Sequence, residues 1–163
     1  MKDQIFNKIH KLQVNKKGDL SRLTDKINED YFDLPKGFFK DKTCLDAACG
    51  GNGFVPSKLI KLGAKFVDCF DYNHFHKESI KRALAGYEDK FKFYTQNLTK
   101  YDRTYLSKYD FVHCSGAIHH DKKYKKILQN LSKYVKPGGY IFISSYGKGG
   151  LIRDVVKLYE IGI

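Results

Sequence analysis

The sequence has no tryptophan, one methionine and only three prolines in 163 residues. With 42% apolar and 29% charged residues, this composition excludes both a fibrous chain and a disordered tail protein. Cysteine is sparse: Cys44, Cys49, Cys69 and Cys114 form no C-x-x-C pair, and three of them fall in or beside apolar runs, so buried free thiols are expected. A metal site needs ligands paired at short spacing, and only His74/His76 and His119/His120 come near that pattern, so no metal is assigned. Long apolar runs are also missing. None approaches the roughly 18 residues that span a bilayer, and the opening MKDQIFNKIHKLQVNKK lacks the apolar centre of a signal peptide. A cytoplasmic chain without a membrane partner is the expectation, and the length suits one domain with a core of its own.

Acidic residues are in short supply: 18 against 30 basic ones leave a net charge of +12. That balance points to an anionic partner, with nucleic acid among the possibilities. It does not specify one. Only Arg22, Arg82, Arg103 and Arg153 are arginine, and lysine is the poorer residue for bidentate recognition of a base or phosphate.

Residues 1–42 are polar, with Ile5, Ile9 and Leu12 and then Leu20, Leu23 and Ile27 at helical spacing, which predicts two short amphipathic helices. Pro35 and Gly37 break the next stretch, where Tyr31, Phe32, Phe38 and Phe39 must pack on something. This segment reads as an N-terminal helical arm or lid, and residues 43–163 as the main domain. From 43 onward, apolar runs alternate with helical patterns. Strands are predicted near 43–47, 66–70, 91–95, 109–114 and 139–145, with helices over 54–63, 76–86 and 122–135, a shorter segment at 100–107 and a last helix at 151–161. Such alternation makes a parallel sheet covered on both faces, a three-layer α/β/α sandwich whose ligands collect beyond the carboxyl ends of the strands.

The chemistry-bearing residues fall at those strand ends. Thr43-Cys44-Leu45-Asp46-Ala47-Ala48-Cys49-Gly50-Gly51-Asn52-Gly53 is a strand with an acid near its end, turning through small residues into a helix. The glycines permit a tight turn, and the amides of the following helix face whatever sits there, although a βα turn can need glycine for its own sake. Asp71 closes the second strand, where a carboxylate can accept two hydrogen bonds from a ribose diol. A nucleoside ligand could be a dinucleotide or S-adenosylmethionine. Ala48 stands where a dinucleotide turn wants glycine, and an acid beside a pyrophosphate is electrostatically wrong. Asp46 instead suits a sulfonium and an α-amino group.

These residues make the chain resemble the class I, Rossmann-like S-adenosylmethionine-dependent methyltransferases, especially their small type 11 members. LDAACGGNG is similar to that family's first motif, with Ala48 in place of its first glycine and Gly53 one step late. The resemblance implies S-adenosyl-L-methionine as cofactor, with Asp46, Ala48, Cys49, Gly50, Asn52 and Gly53 around its methionine half. It further implies Asp71 on the ribose, Tyr72 against the adenine, and Asn97, in place of the usual acid, accepting from the adenine amino group beside Leu98. Tyr109 to His120 resembles the fourth strand and its loop, bringing Ser115 and Gly116 to the cofactor. His119 and His120 then face the transferred methyl, as a catalytic base or as packing. Val135-Lys136-Pro137-Gly138-Gly139 resembles the turn into the fifth strand. The implied activity is methyl transfer to an unidentified small-molecule or nucleic-acid acceptor, or cofactor binding as a non-catalytic or partner-completed subunit.

Four further expectations follow. The basic run Lys122-Lys123-Tyr124-Lys125-Lys126 lies beside the methyl-transfer mouth, and His113 belongs to the core. Gly147-Lys148-Gly149-Gly150 is a flexible joint. The usual C-terminal strand hairpin is missing, which leaves the fifth strand as an open edge for a second copy or a partner subunit to cover.

Overall fold

The computed structural model describes residues 26–146 and the backbone of a strand at 153–158. Five strands run parallel: β1 (Thr43–Ala47), β2 (Phe66–Asp71), β3 (Phe91–Thr95), β4 (Tyr109–Ser115) and β5 (Val135–Tyr146). Among the described residues, four helices lie between or before them: α1 (Glu29–Phe32), α2 (Phe54–Lys61), α3 (His76–Ala83) and α4 (Tyr124–Tyr134). Single 3-10 turns occupy Arg103–Tyr105 and Ile118–His120. With β6 (Arg153–Leu158) as the last strand, the order is β3-β2-β1-β4-β5-β6, so the chain reverses its direction of travel between β1 and β4. In an open α/β sheet the crevice at that reversal is where ligands bind.

Alternation along the strands divides the core into two layers. Cys44, Val67, Cys69, Phe111 and Phe142 face Leu59 and Ile60 of α2 and Ile80 of α3. Leu45, Ala47, Phe70, Val112, Ile141 and Ile143 face the other way, onto Tyr105 and onto Ile127, Leu131 and Tyr134 of α4. This is the three-layer α/β/α sandwich expected from the sequence. The 26–42 segment joins the first layer: Phe39 is fully buried, and Phe32 packs within 5 Å of both Phe111 and Phe142, ring centre to ring centre. The helices predicted further upstream lie outside the described residues, as does the joint at 147–150.

Two buried acids interrupt the apolar strands. Asp68, in the middle of β2, accepts from Lys108 Nζ at 2.6 Å and from the Tyr109 hydroxyl at 2.7 Å. Burial, with Asp68 adjacent, drives the Tyr109 hydroxyl far above the ordinary phenol range, so it stays a donor. Asp46 is the second acid and belongs to the site.

The C-terminal expectation is corrected. In place of the helix expected over 151–161, β6 (Arg153–Leu158) pairs antiparallel with β5, from Ile141 opposite Leu158 to Tyr146 opposite Arg153. Adjacent Val155 and Val156 are stiff at χ1 and favour a strand, and pairing satisfies the backbone groups along the far side of β5. One antiparallel strand therefore follows the fifth where none was expected. The β5 edge is covered by the chain itself, with no second copy or partner subunit needed there. The KPGG turn also differs: it lies inside β5, as a bulge that shifts the register from Tyr109 opposite Val135 to Phe111 opposite Tyr140.

The packing of residues 26–42 makes Phe39→Ala a direct test of their part in the fold. The variant should lose about 3–4 kcal/mol of stability by urea unfolding, as expected when a fully buried phenylalanine is emptied from a core.

Candidate active site

The turn after β1 is held from β2. Asp71 closes β2 and uses both carboxylate oxygens on backbone: Oδ2 accepts the Gly50 N–H at 2.9 Å and Oδ1 accepts the Asn73 N–H at 2.8 Å. Cys49 N–H donates to the Phe70 carbonyl at 3.0 Å, so the turn is tied to β2 at two consecutive residues. Each carboxylate oxygen still has lone-pair capacity for a further donor such as a ribose hydroxyl.

The turn's small residues serve different purposes. Gly50 has φ +63°, and a Cβ placed there would meet nothing within 4 Å, so bare backbone borders open space at the carboxyl edge of the sheet. Gly51 is small because of packing: a Cβ would come within 2.6 Å of His76 Nδ1, on the buried first residue of α3. Gly53, at φ +65°, caps α2. Ala48 takes φ +62°, a left-handed conformation that favours glycine, at the position where the related motif has its first glycine.

Several expected cofactor residues have local partners. Asn52 Oδ1 accepts the Phe54 N–H at 3.1 Å, ordering the start of α2. Cys49 is buried, and burial raises the pKa of its thiol. Asn97 Oδ1, the atom expected to meet the adenine amino group, accepts both the Thr99 N–H at 2.9 Å and the Thr99 hydroxyl at 2.7 Å. Those two bonds fill its lone pairs in a local turn. The neighbouring Leu98 is fixed through its carbonyl, which accepts from Asn130 Nδ2 at 2.8 Å. Tyr72 is 73% exposed just past Asp71, and Phe75 nearby is also exposed.

Asp46 departs most from its expected setting. The residue is 2% exposed, and its carboxylate accepts or shares a proton with His113 Nδ1 at 2.8 Å; the two residues are register partners in β1 and β4. His113 is buried, as expected of a core residue, yet its core neighbour is an acid. A histidine and an aspartate in otherwise apolar strands were the visible signal, since a buried carboxylate needs a donor.

The loop after β4 holds the remaining candidates. Ser115 and Gly116 are exposed, and the Gly116 N–H donates to the Ser144 carbonyl at 2.9 Å, tying the loop to β5. His119 and His120 follow in the 3-10 turn with ring centres 3.9 Å apart. Burial lowers the pKa of His119 below 6.5, favouring the neutral imidazole. Lys122, Lys123, Lys125 and Lys126 are exposed at the start of α4. Acid, glycine turn, ribose-competent carboxylate and histidine loop thus all stand at the carboxyl edge, around the β1/β4 reversal.

A model of the methyltransferase domain family matches residues 17–158. The chain belongs to that family. A ubiquinone biosynthesis O-methyltransferase of Hydrogenovibrio crunogenus is 27% identical over 145 residues, covering 88% of this chain and 59% of its own length. A tRNA U34 carboxymethyltransferase of Campylobacter fetus is 30% identical over 117 residues, covering 65% of this chain and 37% of its own. The chain therefore spans less than two thirds of the length of these relatives. Among solved structures, an S-adenosylmethionine-dependent methyltransferase from Mesorhizobium loti superposes with a TM-score of 0.59 at 18% identity, over 82% of this chain and 66% of that one. The methyltransferase family match extends through β6.

Family membership implies S-adenosylmethionine, and the site fits it: two carboxylates and an open glycine backbone suit a cation with a ribose, whereas a pyrophosphate would meet negative charge. Ala48 supplies a check on the turn. Ala48→Gly trades relief of left-handed strain against a freer unfolded chain and should change stability by less than about 0.5 kcal/mol; Ala48→Val should cost about 1–2 kcal/mol in thermal unfolding.

Proposed function

We propose that this chain is the cofactor-binding, methyl-transferring domain of an S-adenosylmethionine-dependent methyltransferase acting on a small-molecule or nucleic-acid acceptor. The observation that carries the proposal is the Asp71 carboxylate bonded to the Gly50 N–H at 2.9 Å, which joins a ribose-competent acid to an open glycine turn at the sheet's reversal point.

In this reading the 48–53 turn lies along the methionine half, with Ala48, Cys49 and Gly50 contributing backbone and Asn52 and Gly53 shaping the start of α2. Asp71 accepts the ribose hydroxyls. Tyr72 offers an exposed ring to one face of the adenine, and Leu98, beside Asn97 with its side chain held by Thr99, borders its edge. Ser115 and Gly116 lie at the sulfur end. When bound, the cofactor supplies a methyl group already activated on a sulfonium. What is left to the protein is alignment of the acceptor, exclusion of water and, where the acceptor carries a proton, its removal. His119 suits the last task because burial keeps its imidazole neutral, and the exposed His120 beside it can pass a proton to solvent. The lysines at 122–126 add an attractive field for an anionic acceptor. The names of the relatives, one acting in ubiquinone biosynthesis and one on tRNA, leave both acceptor classes open.

Calorimetric titration with S-adenosylmethionine and S-adenosylhomocysteine tests the reading on wild type and on Asp71→Ala. The variant loses two charge-assisted acceptors and the anchor of the turn, so affinity for both ligands should fall by at least about a hundredfold. Equal affinity in the two proteins would remove Asp71 from the ribose.

A further inference from the structure

The buried Asp46–His113 pair serves neither the turn's backbone bonding nor the histidine loop. Its carboxylate lies near the end of β1, directly before the cofactor turn, and its imidazole is the cross-strand partner on β4. The ring is clamped: Phe142 of β5 stacks on it at 5.6 Å with planes 5° apart, and Phe32 meets it edge-on at 6.1 Å. Neither clamp titrates. The thiols that sense the Asp46 charge are Cys49 and Cys114; burial raises both, Cys114 to about 12, so they stay neutral at physiological pH. Asp71, across the turn, is the other nearby carboxylate acting on Cys49.

A buried carboxylate keeps its charge only with a hydrogen-bond donor, and otherwise takes up a proton. His113 Nδ1 supplies that donor in a fixed direction. A neutral imidazole leaves one net negative charge on the pair, and an imidazolium leaves none. The ligands to be distinguished differ in the same quantity, since the methyl donor carries a sulfonium and the demethylated product an uncharged thioether.

We propose that His113 is a positioning residue: through Asp46 it holds a negative charge beneath the cofactor turn and thereby sets the preference for the sulfonium ligand over the thioether product. The proposal rests on the reading of this site as one for S-adenosylmethionine, and it concerns discrimination between two ligands rather than binding itself.

The test is calorimetric, on the full chain, with S-adenosylmethionine and S-adenosylhomocysteine titrated separately. His113→Phe keeps the ring stack and removes the donor. It should shift the affinity ratio about tenfold away from the sulfonium, with S-adenosylhomocysteine affinity within about threefold of wild type. His113→Asn, whose amide can donate from about the place of Nδ1, should keep the wild-type ratio. Asp46→Asn, which removes the charge itself, should shift the ratio in the same direction as His113→Phe. The Asp46→Asn and His113→Asn variants decide the matter even where His113→Phe fails to fold. An unchanged ratio in folded His113→Phe or in Asp46→Asn, or a shifted ratio in His113→Asn, would overturn the positioning role and leave the cofactor reading standing. Failure of the wild-type chain to bind either ligand would instead overturn that reading.

Discussion

The Asp71 carboxylate couples the two halves of the site. Without it, the turn after β1 would be a loop with three glycines near two neighbouring strands; with it, Gly50 is fixed 2.9 Å from an acid at the end of β2. A charge-assisted bond from a backbone N–H to a carboxylate is among the stronger hydrogen bonds available to a protein. Because the same side chain also accepts from Asn73, it organises the loop that leads into α3, whose first residue, His76, packs back on Gly51. Turn, acid and helix therefore constrain one another, and the edge where a nucleoside would lie is shaped before any ligand arrives.

The parallel core was legible because its signal is local. Runs such as TCLDA, FVDCF and YDFVHCS are short, apolar and bounded by turn residues, and four of the five parallel strands fall within a residue of their expected limits. β5 is the exception: it starts earlier, because the KPGG segment remains paired through a bulge. β6 was not legible. Arg153 to Leu158 carries no strict alternation, and its strand form depends on an available β5 edge, a tertiary fact that helical spacing cannot report.

The candidate site was legible in its residues more than in their bonding. Asp46, the 48–53 turn, Asp71 and the 115–120 loop were expected at the carboxyl edge, and they stand there. Hidden from the sequence was how each is already engaged: Asn97 by Thr99, Asn52 by the start of α2, and Asp46 by His113. Such pairings join residues up to 67 positions apart or turn a side chain onto the residue two positions on, and only the register of β1 on β4 reveals the Asp46–His113 pair. A second buried acid, Asp68, follows the same logic with Lys108 and Tyr109, so both buried acids described in this sheet have a partner from a neighbouring strand or strand entrance.

The central claim is that the β1/β4 reversal holds an adenosyl sulfonium compound with its ribose on Asp71. A crystal structure of the chain with S-adenosylhomocysteine tests it most directly. The account predicts both ribose hydroxyls within about 2.6–3.2 Å of the Asp71 oxygens and the amino-acid end lying across Gly50. A ligand seated away from the carboxyl edge, or a ribose with no contact to Asp71, would contradict it.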